Sequence, residues 1–139
     1  MKLHLVTKDQ QSIEGFKRVE FLGEQIDLSD ISDNECELIL ANDLLNDFSY
    51  SKIAELINSL TSKLRLNGSL VIGGTDYRLL CKSIMLDQID ETTACRIISS
   101  LNSVTSLAMV SGIVKGMGLY INSTQISGIH FEVNIRRTP

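Results

Sequence analysis

The chain has 139 residues, of which 43% are hydrophobic and 22% charged, and this composition is that of one globular domain spanning residues 1–139. A domain of this size buries enough apolar surface to fold without a disulfide or metal staple. The formal net charge of −4 and the aromatic content of 5% argue against a broad nucleic-acid-binding surface, which needs clustered basic residues and stacking platforms.

The cysteines and the apolar segments indicate a cellular compartment. Cys36, Cys81 and Cys95 are odd in number and include no C-x-x-C pair, so they predict reduced, buried thiols in a cytoplasmic protein. The apolar run at the N-terminus is too short for a signal peptide. The most apolar stretch, residues 104–121, is interrupted by Lys115, so we expect no membrane span.

The first third of the chain predicts short strands. Residues 2–6 alternate and predict a strand, Gly15 breaks the chain, and residues 16–21 predict a second strand. Residues 25–28 predict a third, very short one. Because only about eight residues separate the first two strands, no full crossover helix fits between them.

The middle of the chain predicts a strand, a helix and a strand. Residues 38–41 form the continuous apolar run that is typical of a strand buried in a parallel sheet. The next apolar residues share one helical stripe, with Ser49 or Ser51 as a cap and Asn67-Gly68 as the end; they are Ile53, Leu56, Ile57, Leu60 and Leu64. Residues 69–72 predict another buried strand that leads into Gly73-Gly74.

The last third predicts helices over residues 76–86, 91–100 and 103–117, then strands over 119–123 and 129–137. The two strands flank residues 122–125, which predicts a hairpin turn there. Strands that alternate with helices and end in a hairpin favour a Rossmann-like, doubly wound, mostly parallel α/β sheet with a C-terminal antiparallel hairpin.

Two local patterns have a structural and a functional interpretation. From Glu24 to Asp47 there are eight acidic residues and no Lys or Arg. We expect a solvated acidic loop followed by helix-start carboxylates, and the alternative is a site that repels phosphate-rich partners or binds cations. Gly112 and Gly116 have the spacing of close helix packing, which favours the core, with helix pairing between subunits as the alternative.

The order of elements and several local strings resemble class I S-adenosylmethionine (SAM)-dependent methyltransferases over nearly the whole chain. In that family a glycine-rich loop after the first strand approaches the cofactor, and the resemblance places Val6 and Thr7 there. This chain has Val6-Thr7-Lys8 in place of the family's glycines. The resemblance further implies that Glu20, the acid at the end of the second strand, binds the ribose hydroxyls of the cofactor, and that Asp27 and Leu28 near the third strand also contact it.

The segment over residues 34–48 resembles the family's fourth strand and its exit. Asn42 and Asp43 follow the strand, at the sheet edge where ligands bind, so in an active enzyme we expect them to face the substrate as catalytic groups. Helix capping of the following segment is the alternative role, and the pattern favours it. Relatives often end this segment in Leu-Glu-His-Phe, and here Asp47 takes the place of the histidine.

Two functions follow from the resemblance. The first is a SAM-dependent methyltransferase with a small-molecule or protein acceptor, which would act on its substrate through Asn42 and Asp43. The second is a catalytically inactive methyltransferase-fold protein that acts as a binding or interaction module, with a homodimer as one form.

Overall fold

The computed structural model describes residues 1–139 and contains a seven-stranded sheet and four helices. The strands are β1 (Lys2–Val6), β2 (Lys17–Leu22), β3 (Gln25–Ile26), β4 (Cys36–Ala41), β5 (Leu64–Thr75), β6 (Tyr120–Ser127) and β7 (His130–Arg136). The helices are α1 (Ile53–Lys63), α2 (Tyr77–Met85), α3 (Glu91–Ser100) and α4 (Leu107–Gly116). Two short 3-10 turns, Leu45–Asp47 and Tyr50–Lys52, precede α1.

The strand order is β3-β2-β1-β4-β5-β7-β6. Strands β2, β1, β4 and β5 are parallel, whereas β7 runs antiparallel to β5 and β6, and β3 runs antiparallel to β2. This arrangement confirms the predicted Rossmann-like sheet, with a mostly parallel centre and an antiparallel hairpin at its C-terminal end.

The hairpin turn lies at Gly128 and not at residues 122–125, where the sequence predicted it. Gly128 has φ +62°, a conformation that glycine adopts without steric cost. Strand β6 therefore continues to Ser127 instead of stopping at Ser123, through residues that are all polar except Ile126. The polar side chains predicted a turn, but in a strand at the sheet edge they remain in solvent and do not interrupt the strand.

One face of the sheet carries the core. The strand register aligns Leu3, Ile39, Leu70 and Ile135, all with 0% exposure, in one row across four strands. Helices α1 and α4 cover this row and contact each other. The predicted stripe of α1 is buried as expected, but the helix ends at Lys63 because Leu64 already has extended geometry and begins β5.

The opposite face is more open, and we call it the open face. Its central row places His4, Leu40, Val71 and Asn134 side by side. The loop after β1 folds over one side of it, where the rings of Phe16 and His4 meet edge-on at 6.4 Å. Helices α2 and α3 pack mainly against each other, so the helical layers on the two faces are unequal.

The connections divide the chain into two parts. In residues 1–35, the loop-linked part, the strands are joined by residues 7–16 and 23–24, and residues 27–35 lead to β4; none of these connections contains a helix. Residues 36–139, the helix-covered part, contain all four helices. The part without helices is therefore the part in which the resemblance locates the cofactor residues.

Three smaller expectations have definite outcomes. Cys36 is buried as predicted, but Cys81 and Cys95 are exposed because they lie on α2 and α3, away from the main core. A Cβ atom added to Gly112 or Gly116 would meet nothing within 4 Å, so their spacing does not serve core packing. No helix has the length and apolar character that a membrane crossing requires.

Candidate functional site

The carboxyl edge of the parallel strands brings several of the predicted site residues to one side of the sheet. Val6, the last residue of β1, is fully buried and lies opposite Glu20 of β2. Thr7 follows it, and Asn42 and Asp43 follow the last residue of the neighbouring β4. The predicted loop, ribose acid and substrate groups therefore share this edge, as they would in a doubly wound fold.

Asp27 and Leu28 follow β3, whose antiparallel direction leads the chain away from that edge. The Asp27 carboxylate accepts hydrogen bonds from the Ser29 hydroxyl at 2.6 Å and the Ser29 N–H at 3.0 Å, which hold its pKa below the ordinary value. The Asp27 side chain is thus used in a local turn, while Leu28 lines a cavity beside α1.

The loop after β1 is closed by its own hydrogen bonds. The Thr7 N–H donates to Gln10 Oε1 at 2.8 Å, and the Gln10 N–H donates back to the Thr7 carbonyl at 3.2 Å. The Arg18 guanidinium donates to the carbonyl oxygens of Thr7 at 3.1 Å and Lys8 at 3.3 Å, and its Nε donates to Glu20 Oε1 at 3.1 Å. One arginine of β2 thus ties the loop to the strand that carries the predicted ribose acid.

This loop differs in chemistry from one that holds an anionic or nucleotide-like group. Such loops use glycines, which let the backbone approach the ligand, and free N–H groups that point at it. Here the Thr7 N–H already has an acceptor, and β-branched Val6 and Thr7 stand where the family has glycine. The loop residues therefore do not fit the SAM-binding role that the resemblance implies, and we derive no reaction step through that cofactor.

A polar cluster lies at the end of β4. Asn42 Nδ2 donates to Glu132 Oε1 at 2.9 Å, and the Asn42 carbonyl oxygen lies 2.9 Å from His130 Nε2. Asp43 Oδ1 is 3.9 Å from the same His130 nitrogen. A carboxylate beside an imidazole can orient it and take part in moving a proton.

The sequence did not associate His130 and Glu132 with this site. They lie about 90 residues beyond Asn42 and meet it only because β7 pairs with β5. The one signal for them was the alternation along residues 129–137, which places both on the same face of a strand. It does not show which element that face approaches.

Gly73 and Gly74 allow β5 to approach the chain that follows β4. A Cβ atom on Gly73 would lie 2.7 Å from the Asn42 carbonyl oxygen, and one on Gly74 would lie 2.6 Å from Asn46 Oδ1. Asn46 Oδ1 in turn accepts from the Thr75 N–H at 2.7 Å. The two glycines thus make room for this chain's own asparagines.

Asp47, which replaces the family's histidine, lies in the 3-10 turn after β4. Its pKa is raised above the ordinary value, mainly by burial and further by the nearby charge of Asp43. Both effects disfavour the ionised form, so Asp47 binds a proton more readily than a solvated aspartate does.

The acidic run from Glu24 to Asp47 is partly neutralised by bases from outside it. Glu24 binds Lys52 Nζ at 2.6 Å and the Ser49 N–H at 2.9 Å, and these contacts, Lys52 first, lower its pKa to about 2. Asp33 likewise binds Lys63 at 2.9 Å. No group of three or more His, Cys, Asp or Glu side chains has the geometry to hold a metal ion.

Two cavities of the structure lie away from Val6, Thr7, Glu20 and Asn42. The larger, about 530 Å³, runs between β3 and α1, with Leu28, Phe48 and Leu56 among its apolar lining residues. The smaller, about 150 Å³, is on the open face between β5, β6 and β7. The carboxyl edge beside β1 is thus not part of either cavity.

The chain is similar in structure to solved methyltransferases. An O-methyltransferase family protein from Burkholderia thailandensis matches with TM-score 0.62 and 15% identity over 88% of this chain and 36% of that one. A SAM-dependent methyltransferase from Archaeoglobus fulgidus matches with TM-score 0.59 and 12% identity over 88% of this chain and 68% of that one. A putative SAM-dependent methyltransferase from Methanococcus maripaludis matches with TM-score 0.53 and 13% identity over 89% and 55%.

No protein-family model and no curated protein sequence matches the chain. It spans between 36% and 68% of the length of these three solved structures. At such identities the likeness concerns the fold, which is that of the class I SAM-dependent methyltransferases, as the sequence resemblance implied.

Proposed function

We propose that this chain is a methyltransferase-fold protein that acts as a binding or interaction module and does not transfer methyl groups. The observation that carries the proposal is the closed loop after β1, in which Arg18 binds the carbonyl oxygens of Thr7 and Lys8. This is the loop by which the fold family approaches its cofactor, and in this chain it is bound to the protein itself.

Opening the loop for a cofactor would break several bonds together. The Thr7 N–H would have to leave Gln10, and a ribose hydroxyl would compete with Arg18 for Glu20. Together these bonds contribute about 1 kcal/mol, because all of them except the bond from Arg18 to the Thr7 carbonyl oxygen are exposed to solvent. The Arg18–Glu20 pair contributes less, because the Glu20 side chain is 53% exposed.

A second candidate function is favoured by the polar cluster after β4. Asn42, Asp43, His130 and Glu132 lie together, and a proton from a methyl acceptor could be received there. In that case Glu20 binds SAM without Asp27, whose carboxylate is held by Ser29, and the acceptor is a small molecule or a protein. Under either function we place the protein in the cytoplasm, on the cysteine usage alone.

Calorimetric titration with SAM and with S-adenosylhomocysteine separates the two functions. The proposal predicts no binding heat at about millimolar ligand, whereas micromolar affinity, about −8 kcal/mol, would overturn it. The same titration on Arg18→Ala asks whether the closed loop is the obstacle. If it is, that variant gains measurable affinity, while Arg65→Ala, which removes an exposed arginine paired with Glu37, gains none.

If the wild-type protein does bind, Glu20→Ala tests the cofactor site. An unchanged affinity in Glu20→Ala would show that the ligand lies elsewhere. A loss of tenfold or more, with no loss in an Asp9→Ala control, would place the ribose at β2 and support the second candidate function.

A further inference from the structure

We propose that β6 is an interaction edge, at which a second copy of this chain adds its own β6 and continues the sheet antiparallel. The inference concerns the C-terminal edge of the sheet and does not depend on whether the chain binds SAM. Its failure and the failure of the proposed function are therefore distinguishable.

Strand β6 has the length and exposure that edge pairing needs. It is the edge strand of the sheet beside β7, and all its residues except Ile121 are exposed. In an antiparallel strand, alternate residues direct both backbone groups to the same side, so about half of the N–H and C=O groups of β6 point away from β7. Those groups are a template for another strand.

Most of β6 is free of the usual obstacles to edge pairing. Its residues, Tyr-Ile-Asn-Ser-Thr-Gln-Ile-Ser, include no charge and no proline. A bulge, which is such an obstacle, lies between Ile121 and Ser123 and leaves Ser123–Ser127 in regular register. The opposite edge, β3, has only two residues and is followed by Asp27 and Asp30.

The occupant is a second copy because β6 is compatible with itself. Two copies carry the same net charge of −4, but their β6 strands contain no charged side chain and so bring no charges together. In an antiparallel pair centred on Gln125, Thr124 lies opposite Ile126 of the second copy, and Ser123 opposite its Ser127.

The faces also agree in that arrangement. Thr124 and Ile126 pair with Val133 and Phe131 and so share the core face. Ser123, Gln125 and Ser127 all lie on the open face by the same register. Opposed residues of any antiparallel pair share a face, so this pairing places Thr124 and Ile126 of both copies on the core face.

Sedimentation velocity on the whole chain, from about 5 to 200 μM, is the first measurement. We expect a concentration-dependent species with twice the 15.4 kDa mass of the chain. Hydrogen exchange at the same concentrations should slow in residues 123–127 as that species forms. A monomer throughout the range would overturn the proposal.

The variant Gln125→Lys places two like charges at the centre of the pairing. Within one copy the new lysine lies beside Glu132, its register partner, so the hairpin retains its stability. The matched control is Gln25→Lys on the opposite edge strand. Both changes lower the net negative charge equally, which by itself favours association.

We expect Gln125→Lys to raise the dimer dissociation constant tenfold or more and Gln25→Lys to leave it unchanged. The double variant Ser123→Lys/Ser127→Lys, whose lysines face each other across the pair, should dissociate it in the same way. A dimer that survives both β6 variants, or one that Gln25→Lys weakens equally, would place the interface elsewhere and overturn the proposal.

Discussion

The loop-linked part, residues 1–35, and the helix-covered part, residues 36–139, contribute to one sheet but are stabilised differently. In the helix-covered part, α1 and α4 cover buried residues of β4, β5 and β7. In the loop-linked part, the side chain of Arg18 and the turn at Gln10 perform the task that a crossover helix performs elsewhere. The sheet can therefore lose helices where hydrogen bonds within the connections replace them.

The apolar core of the loop-linked part depends on the other part. Phe21 of β2 contacts Phe48, with ring centroids 6.3 Å apart, and Leu3 and Leu5 belong to the same cluster as the α1 residues. The two parts consequently form one core. We expect substitutions of core residues in either part to destabilise the whole molecule, and substitutions in the connections of the loop-linked part to act locally.

The largest effect should come from Phe131→Ala. Phe131 lies on β7 with 0% exposure, so its removal leaves a cavity in the shared core. The free energy of unfolding should fall by about 3–5 kcal/mol, measured by urea denaturation. Phe16→Ala, a change at a half-buried ring of the loop-linked part, should cost about 1 kcal/mol. Equal losses of unfolding free energy in the two variants would contradict the difference between the shared core and the connections of the loop-linked part.

Gly73→Ala should have the next largest effect. Its Cβ would overlap the Phe131 carbonyl oxygen and lie 2.7 Å from that of Asn42, so β4, β5 and β7 would have to separate. We expect a loss of about 1–3 kcal/mol in unfolding free energy. Gly112→Ala, in open space on α4, should instead stabilise by about 0.5–1 kcal/mol. A neutral Gly73→Ala would mean that the strands adjust.

Arg18→Ala should cost about 1 kcal/mol, because the guanidinium bonds are partly exposed. Its distinctive result is local. Hydrogen exchange of the amides in residues 7–16 should accelerate strongly. Exchange of the α1 amides should accelerate only as much as the lower global stability of the variant requires. Arg65→Ala should leave the loop unchanged, and a similar acceleration in that control would remove Arg18 as the cause.

Glu24 offers the smallest effect and a pH signature. Its folded-state pKa of about 2 lies below the ordinary value of 4.5, mainly because of Lys52. It therefore contributes stability above pH 4.5 and loses that contribution as the pH falls from 4.5 towards 2. The urea midpoints of wild type and Glu24→Gln should differ at pH 7 and converge near pH 2. In the control variant Glu14→Gln, the urea midpoint should differ from that of wild type by the same amount at every pH. A pH-dependent difference in this control would contradict the assignment to Glu24.

Local patterns predicted most elements well. The bounds of β1 and α3 agree with the sequence prediction, and Asp76, where the second helix was predicted to begin, caps α2 by accepting the N–H groups of Arg78 and Leu79. These features depend on residues that are close to one another in sequence. Errors occurred at β5 and β6, where sheet pairing extends strands into segments that have turn-forming or polar residues.

The candidate site was less predictable. Asn42 and Asp43 could be placed at the carboxyl edge because they follow an apolar strand, but their neighbours His130 and Glu132 come from a distant strand. Nor does the sequence reveal that Arg18 closes the loop, since an arginine in a short strand is ordinarily a solvated residue.

The sequence by itself determined the periodicities, and with them the order of elements, the class of fold and the absence of glycine after β1. Tertiary structure decided which polar groups acquire partners: Glu20 with Arg18, Glu24 with Lys52, and Asn42 with Glu132. The physical reason is range. Helix and strand patterns come from neighbours along the chain, whereas a hydrogen bond between distant residues exists only after the sheet has set its strand order and register.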